Sequence, residues 1–382
     1  MTSDRLHVFV LIDALGWKFL QQTPFLDDVL PYRQPLRTIL GFSSGVIPSI
    51  LTGLTPAESA VWNLVYYDPE HSPFRWMRHF QSVPRPLLDN RYARRAFTEL
   101  GRRVLGLGHG FDCCVSPRLL HYFNWAERRN IYDPGGIPGV QSIFDKLVAD
   151  GVPYRSYSYH RNTDEEILQA VPRHIDEGHE NFYFVYLSEV DKFLHDHCSD
   201  PARIAERLAW YDRQLRHVFD AALRRDPEAC FYLFSDHGMT PVTRHYDLAA
   251  DVERASLSTP KDFLAVYDST MARFWCFSDA ARDALTRQLE QVPCGHILSH
   301  GELKSLLLSF SDNRYGDIIF LMDPGCLIAS SAFHSASWMP VGMHGYHPDD
   351  EHSYGVFLTN REILPPVTIV TDIYRCMREA IS

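Results

Sequence analysis

The chain has 382 residues, 45% hydrophobic and 22% charged, ordinary values for a soluble globular protein that buries a large core without help from disulfides or metals. A net charge of -11 argues against a protein that wraps nucleic acid, which shows a basic face. No run reaches the roughly 18 apolar residues of a membrane span. MTSDRLHVFVLIDALG lacks a signal-peptide layout. The eight scattered cysteines, with Cys113 and Cys114 adjacent and no CxxC pair, read as reduced thiols. A cytoplasmic protein with no membrane or nucleic acid polymer as partner is expected. No second Cys pair completes a zinc knuckle at Cys294, His296 and His300.

The first element is HVFVLIDALG at 7–16, an apolar run that ends on Asp13 with Gly16 just after. Runs of this length and content read as strands buried on both faces, as in a parallel sheet. Next, RTILGFSSGVIPSILTGLTP at 37–56 places Ser43 and Ser44 before an apolar, helix-like run ending in Thr52-Gly53. A nucleophile there gains from the positive end of the helix dipole, whereas a bland reading makes both serines caps. Residues 70–135 are rich in Arg, Pro and aromatics and read as a cap insertion. GVQSIFDKLVADG at 139–151 puts Val140, Ile143, Phe144 and Leu147 on one helical face and stops at Gly151.

NFYFVYLSEVDKFLH at 181–195 is a second buried strand, running into Asp191 and His195 at helical spacing. From Asp200 to about Arg225 a helix is expected, capped by Asp200 and started by Pro201, with Ile204, Leu208, Tyr211, Leu215, Val218 and Ala222 in one stripe. The third strand, in FYLFSDHGMTP at 231–241, ends on Asp236 and His237. The helix between the second and third strands suggests a βαβ crossover. Residues 255–335 read as a second, irregular insertion. Length alone suggests two or three domains. The polar candidates, however, run from Asp13 to His344, so one catalytic domain over 1–382 is expected.

Ligands of open α/β sheets bind outside the carboxyl ends of the strands. Three strand ends would then deliver Asp13, Asp191 with His195, and Asp236 with His237 to one edge. These oxygen and nitrogen donors suit zinc or a similar divalent ion. Singly, each is more often a turn, cap or surface residue; together, at successive strand ends, they point to a site.

LIDALG, SSGVIPSILTGLTP, VDKFLH, FSDHGM and GMHGYHPDD together resemble the alkaline phosphatase superfamily, within it the type I phosphodiesterase/nucleotide pyrophosphatase branch. The resemblance implies an α/β fold with a mostly parallel central sheet, helices on both faces and cap insertions. Counting back nine residues from Thr52, as the family pattern requires, identifies Ser43 as nucleophile, with Ser44 the alternative. It also implies two divalent ions, zinc or else manganese. Asp191, His195 and His344 would hold one; Asp13, Asp236, His237 and the Ser43 oxygen the other. His347 and His352 stand close to His344 in sequence. The positive charge of the ions offsets three carboxylates and an ionised serine.

Ser43-Ser44-Gly45-Val46-Ile47 lacks the Pro and Arg of a sulfatase motif, and phosphoethanolamine transferases need transmembrane helices. The diesterase branch carries an Asn before a YDP triplet; here Asn63 precedes Tyr67-Asp68-Pro69 with one extra residue between. That implies Asn63 as a donor to a phosphoryl oxygen, against a bland turn role. The nucleophile is Ser where the branch usually has Thr. Monoesterases use Ser with an Arg clamp, for which Arg75 and Arg78 are candidates. The expected reaction is hydrolysis of a phosphodiester or pyrophosphate through a phosphoserine, on a small, nucleotide-like substrate. Monoester hydrolysis comes second, phosphonate hydrolysis third, and a metal-binding protein without turnover is the non-enzyme reading. Tyr66, Tyr67, Phe74, Trp76, Tyr122, Phe123 and Trp125 offer stacking surface, most of it expected to pack the cap itself.

Overall fold

The computed structural model describes residues 5–80, 83–88, 90–107, 115–159, 162–329, 331 and 338–382. Cys113 and Cys114 lie outside them. The central sheet has six strands, in the order Tyr32–Leu36, Gly355–Thr359, Cys230–Phe234, His7–Ile12, Phe182–Leu187 and Tyr154–Tyr157. The last four are mutually parallel; Gly355–Thr359 runs antiparallel to both of its neighbours.

The strand His7–Ile12 sits in the middle, buried along its whole length. Alternation sends Val8, Val10 and Ile12 to one face and Phe9 and Leu11 to the other. The first face is covered by the helices Asp164–Glu177 and Pro201–Arg225, the second by Ser43–Thr52, Ile143–Ala149 and Ile373–Glu379. Pro201–Arg225 follows the expected stripe: all six named residues are buried, and the Asp200 side chain accepts from the Arg203 N–H at 3.2 Å. The crossover passes over the central strand, since the strands before Asp191 and Asp236 flank His7–Ile12 on opposite sides. The helix of 139–151 begins at Ile143, where Ser142 and Asp145 form a capping box, so Val140 precedes it.

Residues 255–335 correct the expectation of irregularity. They contain a four-stranded antiparallel sheet, Phe263–Tyr267, Met271–Cys276, Ile318–Met322 and Gly295–Ile297, packed on the helix Asp279–Leu289. Its strands are short and one face of it packs against the cap and the Trp62 loop, which breaks the simple alternation a sequence reading relies on. In 70–135 the described elements are short, apart from the helix Arg91–Arg103. Phe74, Phe123 and Trp125 are fully buried there with Trp275, so these aromatics pack a local core. Trp76 is exposed, and Tyr66, Tyr67 and Tyr122 are half-buried.

Candidate active site

The carboxyl ends of three neighbouring strands bring the candidates together. Asp13 follows His7–Ile12, Asp236 and His237 follow Cys230–Phe234, and the turn after Phe182–Leu187 opens the helix Glu189–His197. One helical turn separates Asp191 from His195, whose Nε2 lies 3.3 Å from Asp191 Oδ2. The glycines let the strand-end loops close on each other: a Cβ on Gly238 would lie 2.1 Å from the His352 carbonyl and 3.2 Å from the Gly16 Cα.

Two overlapping donor clusters result. Asp191, His195 and His344 form one, and Asp13, Asp191 and His237 the other, each with its donor atoms within 4.8 Å of one another. Asp191 thus faces both, a sharing the sequence does not reveal. His344 Nε2 lies 3.5 Å from Asp191 Oδ1, and its ring stacks on His237 at 3.8 Å. His347 and His352 instead lie near Asp349 and Glu351. Asp236 accepts from the N–H groups of Ala14 and His237 through Oδ1, while Oδ2 lies 3.2 Å from His237 Nε2.

Ser43 is the first residue of the helix Ser43–Thr52, and Phe42, not a serine, occupies the cap position without a side-chain capping bond. The Ser43 hydroxyl lies 3.0 Å from His237 Nε2 and 3.4 Å from Asp13 Oδ1. His237 Nδ1 donates to the Gly238 carbonyl at 2.9 Å, and His195 Nδ1 to that of Gly342 at 2.8 Å. A carbonyl only accepts, so both rings carry the proton on Nδ1, and in the neutral form each turns an Nε2 lone pair into the site.

Burial raises the Asp13 pKa well above the usual range, reinforced by the charges of Asp236 and Asp191. Asp191 is shifted the other way: burial opposes its charge, but His195 outweighs that and holds it low. Burial and the neighbouring His237 hold His344 in its neutral form. Asp191 Oδ1 and Asp236 Oδ2 are buried with no hydrogen-bond donor. Such atoms are costly to desolvate unless a cation binds them. The donor types, converging carboxylates and imidazole Nε2 atoms, fit divalent metal ions.

Asn63 is buried, and its Nδ2 has no acceptor. It is brought to the helix Ser43–Thr52 by Gly45, where a Cβ would lie 1.9 Å from the Trp62 carbonyl. The four-stranded sheet and the loop before its strand Ile318–Met322 brace this segment: the Tyr315 hydroxyl accepts from the Trp62 N–H at 2.9 Å, and Arg273 Nη1 donates to the Val65 carbonyl at 2.7 Å. The turn before Met271–Cys276 braces the last histidine, through Thr270 Oγ1, which lies 3.2 Å from the His344 carbonyl and 3.0 Å from that of Gly345. Arg75 and Arg78 are exposed on a short 3-10 turn. Residues not foreseen from sequence include Phe42 and Trp338, whose rings flank His344 and His195, and Tyr186, which donates to Asp13 Oδ2.

The chain matches the family model described as type I phosphodiesterase / nucleotide pyrophosphatase over residues 7–347. No curated protein matches it in sequence. Among solved structures, murine ectonucleotide pyrophosphatase/phosphodiesterase 5 superposes with a TM-score of 0.68 at 15% identity, over 98% of this chain and 94% of that one. Its human counterpart gives 0.67 at 13% identity, over 99% and 95%. An inactive threonine-to-alanine variant of the murine protein, in complex with AMP, gives 0.67 at 15%, over 99% and 95%. The fold is thus alkaline-phosphatase-like.

Proposed function

We propose, from the premise that this chain belongs to the type I phosphodiesterase/nucleotide pyrophosphatase family, that it hydrolyses a phosphodiester or pyrophosphate bond through a phosphoserine on Ser43. Family membership makes it a metal-dependent phosphoric ester hydrolase; the intermediate, the ions and the substrate are our reading. The observation that carries it is the Ser43 hydroxyl. It stands at the positive end of a ten-residue helix, caps nothing, and lies 3.0 Å from His237 Nε2.

Two divalent ions, zinc or else manganese, are proposed. Asp191, His195 and His344 would hold one; Asp13, His237, Asp236 and the Ser43 oxygen the other, with Asp191 facing both. Bound there, they supply positive charge to the phosphoryl oxygens and lower the pKa of the Ser43 hydroxyl. Ser43 Oγ attacks phosphorus in line with the leaving oxygen, so the Oγ–P bond forms as the ester or anhydride bond breaks. The unpaired Asn63 Nδ2 donates to a non-bridging oxygen, where charge grows in the transition state. Water then cleaves the Oγ–P bond and Ser43 recovers its proton. Phe42 and Trp338 are aromatic walls for a leaving group. The AMP complex of the murine relative supports a nucleotide-like substrate. A cytoplasmic setting belongs to the same proposal, in keeping with six free cysteines among the described residues.

The test is a rate comparison on zinc-loaded protein between bis-p-nitrophenyl phosphate and p-nitrophenyl phosphate. Ser43→Ala serves as control and is expected to lose roughly 10,000-fold in kcat. Preference for the diester supports the proposal. Preference for the monoester would replace it with a phosphomonoesterase. Full turnover by Ser43→Ala would remove the serine from the chemistry.

A further inference from the structure

Asp13 is buried, and its two oxygens face different surroundings. Oδ1 points at the Ser43 hydroxyl, 3.4 Å away, and at His237 Nε2, 3.5 Å away. Oδ2 is turned from them and accepts from the Tyr186 phenol. The contact follows from the register of the sheet. Tyr186 pairs with Leu11 in the parallel ladder, and the Asp13 N–H continues that ladder onto the Leu187 carbonyl at 2.9 Å. Tyr186 shares the face of Phe182 and Phe184, and Tyr132 stacks on its ring at 5.3 Å. The phenol therefore has little freedom to leave Asp13.

We infer that Tyr186 is a positioning residue that ties back one oxygen of Asp13, so that this carboxylate offers a single oxygen, Oδ1, to the ion beside Ser43. The inference rests on the metal reading above and adds an asymmetry to it. Asp191 turns Oδ2 towards His195 and Oδ1, which has no donor, towards His344, whereas Asp13 keeps only one oxygen free. Without the phenol, Oδ2 would be a buried acceptor with no donor, and the carboxylate could rotate away from Ser43. Removal of such an outer hydrogen bond weakens metal affinity by roughly 10- to 100-fold. The loss should fall on the ion held by Asp13 and His237, not on that held by His195 and His344.

The experiment is a calorimetric zinc titration of EDTA-stripped protein, comparing wild type, Tyr186→Phe and Tyr132→Phe. Phenylalanine preserves ring packing at both positions and removes the bond to Asp13 only at the first. In Tyr186→Phe one binding step should weaken by roughly 10- to 100-fold while the other keeps its affinity. Tyr132→Phe should bind in both steps as wild type does. Steady-state kinetics on the diester should show kcat falling in Tyr186→Phe with KM little changed. Unchanged affinity in both steps of Tyr186→Phe would overturn the inference, as would equal weakening in Tyr132→Phe, which would make the effect one of packing. The titration needs no turnover, so a wild type that binds zinc in two steps yet cleaves neither ester would defeat the proposed function and leave this test intact.

Discussion

The two ends of the central sheet use similar residues to opposite effect. At the amino end, polar groups find protein partners, and the buried atoms left open there are arginine donors, Arg361 Nε and Arg225 Nη1. The Leu6 N–H donates to Asp226 at 2.8 Å, the Phe231 N–H to Asn360 at 3.0 Å, and Arg361 to the Glu228 carbonyl at 2.9 Å. His7 is held neutral there, its pKa lowered to about 4 by burial and then by Arg361 and Arg5. At the carboxyl end, Asp13 and Asp191 converge with three imidazoles, Asp236 Oδ2 lies 3.2 Å from His237 Nε2, and Asp191 Oδ1 and Asp236 Oδ2 have no donor. The comparison teaches that burial of charge does not by itself mark a site. What marks it is converging carboxylate oxygens with valences left open, at the end of the strands where the connecting loops diverge.

The sharpest way to break the contrast is to neutralise an acid at the open end. Asp13→Asn should lower kcat on the diester by about 1,000-fold or more, the scale of losing electrostatic contacts made in the transition state. The same change should raise the melting temperature of the EDTA-treated protein, because Asp13 is held there against burial and the charges of Asp236 and Asp191. A lower melting temperature would show that the acidic cluster stabilises the metal-free fold.

Asn63→Ala comes next. Loss of a donor to the phosphoryl oxygen costs about 100-fold or more in kcat. Stability should change little, since Asn63 Nδ2 makes no internal hydrogen bond. A drop in stability with kcat intact would return Asn63 to the bland role of a turn residue.

The closed end predicts a pH effect. His7 has a folded pKa below its unfolded value, so the unfolded chain binds the extra proton. Stability from this group is complete above about pH 6.5 and is lost as pH falls towards about 4. Urea unfolding at about pH 7 and about pH 4.5 should show the acid loss shrinking in His7→Leu by on the order of 2 to 3 kcal/mol. An equal acid loss in variant and wild type would remove His7 as a contributor. The smallest effect is expected at neither end: Arg75→Ala and Arg78→Ala, on the exposed 3-10 turn, should alter diester and monoester rates by less than about twofold. A monoester rate that collapsed in either would restore the arginine clamp.

Much of this was legible in the chain. Strands of uniform apolar content, each ended by an acid or an acid–imidazole pair, pointed to a buried sheet and to its ligand-bearing edge. The single stripe of Pro201–Arg225 and the spacing of Asp191 and His195 are local patterns with local causes. The spacing of Ser43 from Thr52-Gly53 carried the family resemblance. Tertiary structure decided the rest. It brought His344, and not His347 or His352, beside Asp191 and His195, with Thr270, in the turn before Met271–Cys276, bonding the His344 carbonyl. It placed Asn63 beside the helix Ser43–Thr52, because Gly45 admits the Trp62 carbonyl. It made Asp191 face both clusters and Tyr186 tie back Asp13, because adjacent parallel strands bring residues far apart in sequence into contact. Period and composition report which face of an element is buried; which partner it meets there depends on contacts between elements, which no local pattern encodes.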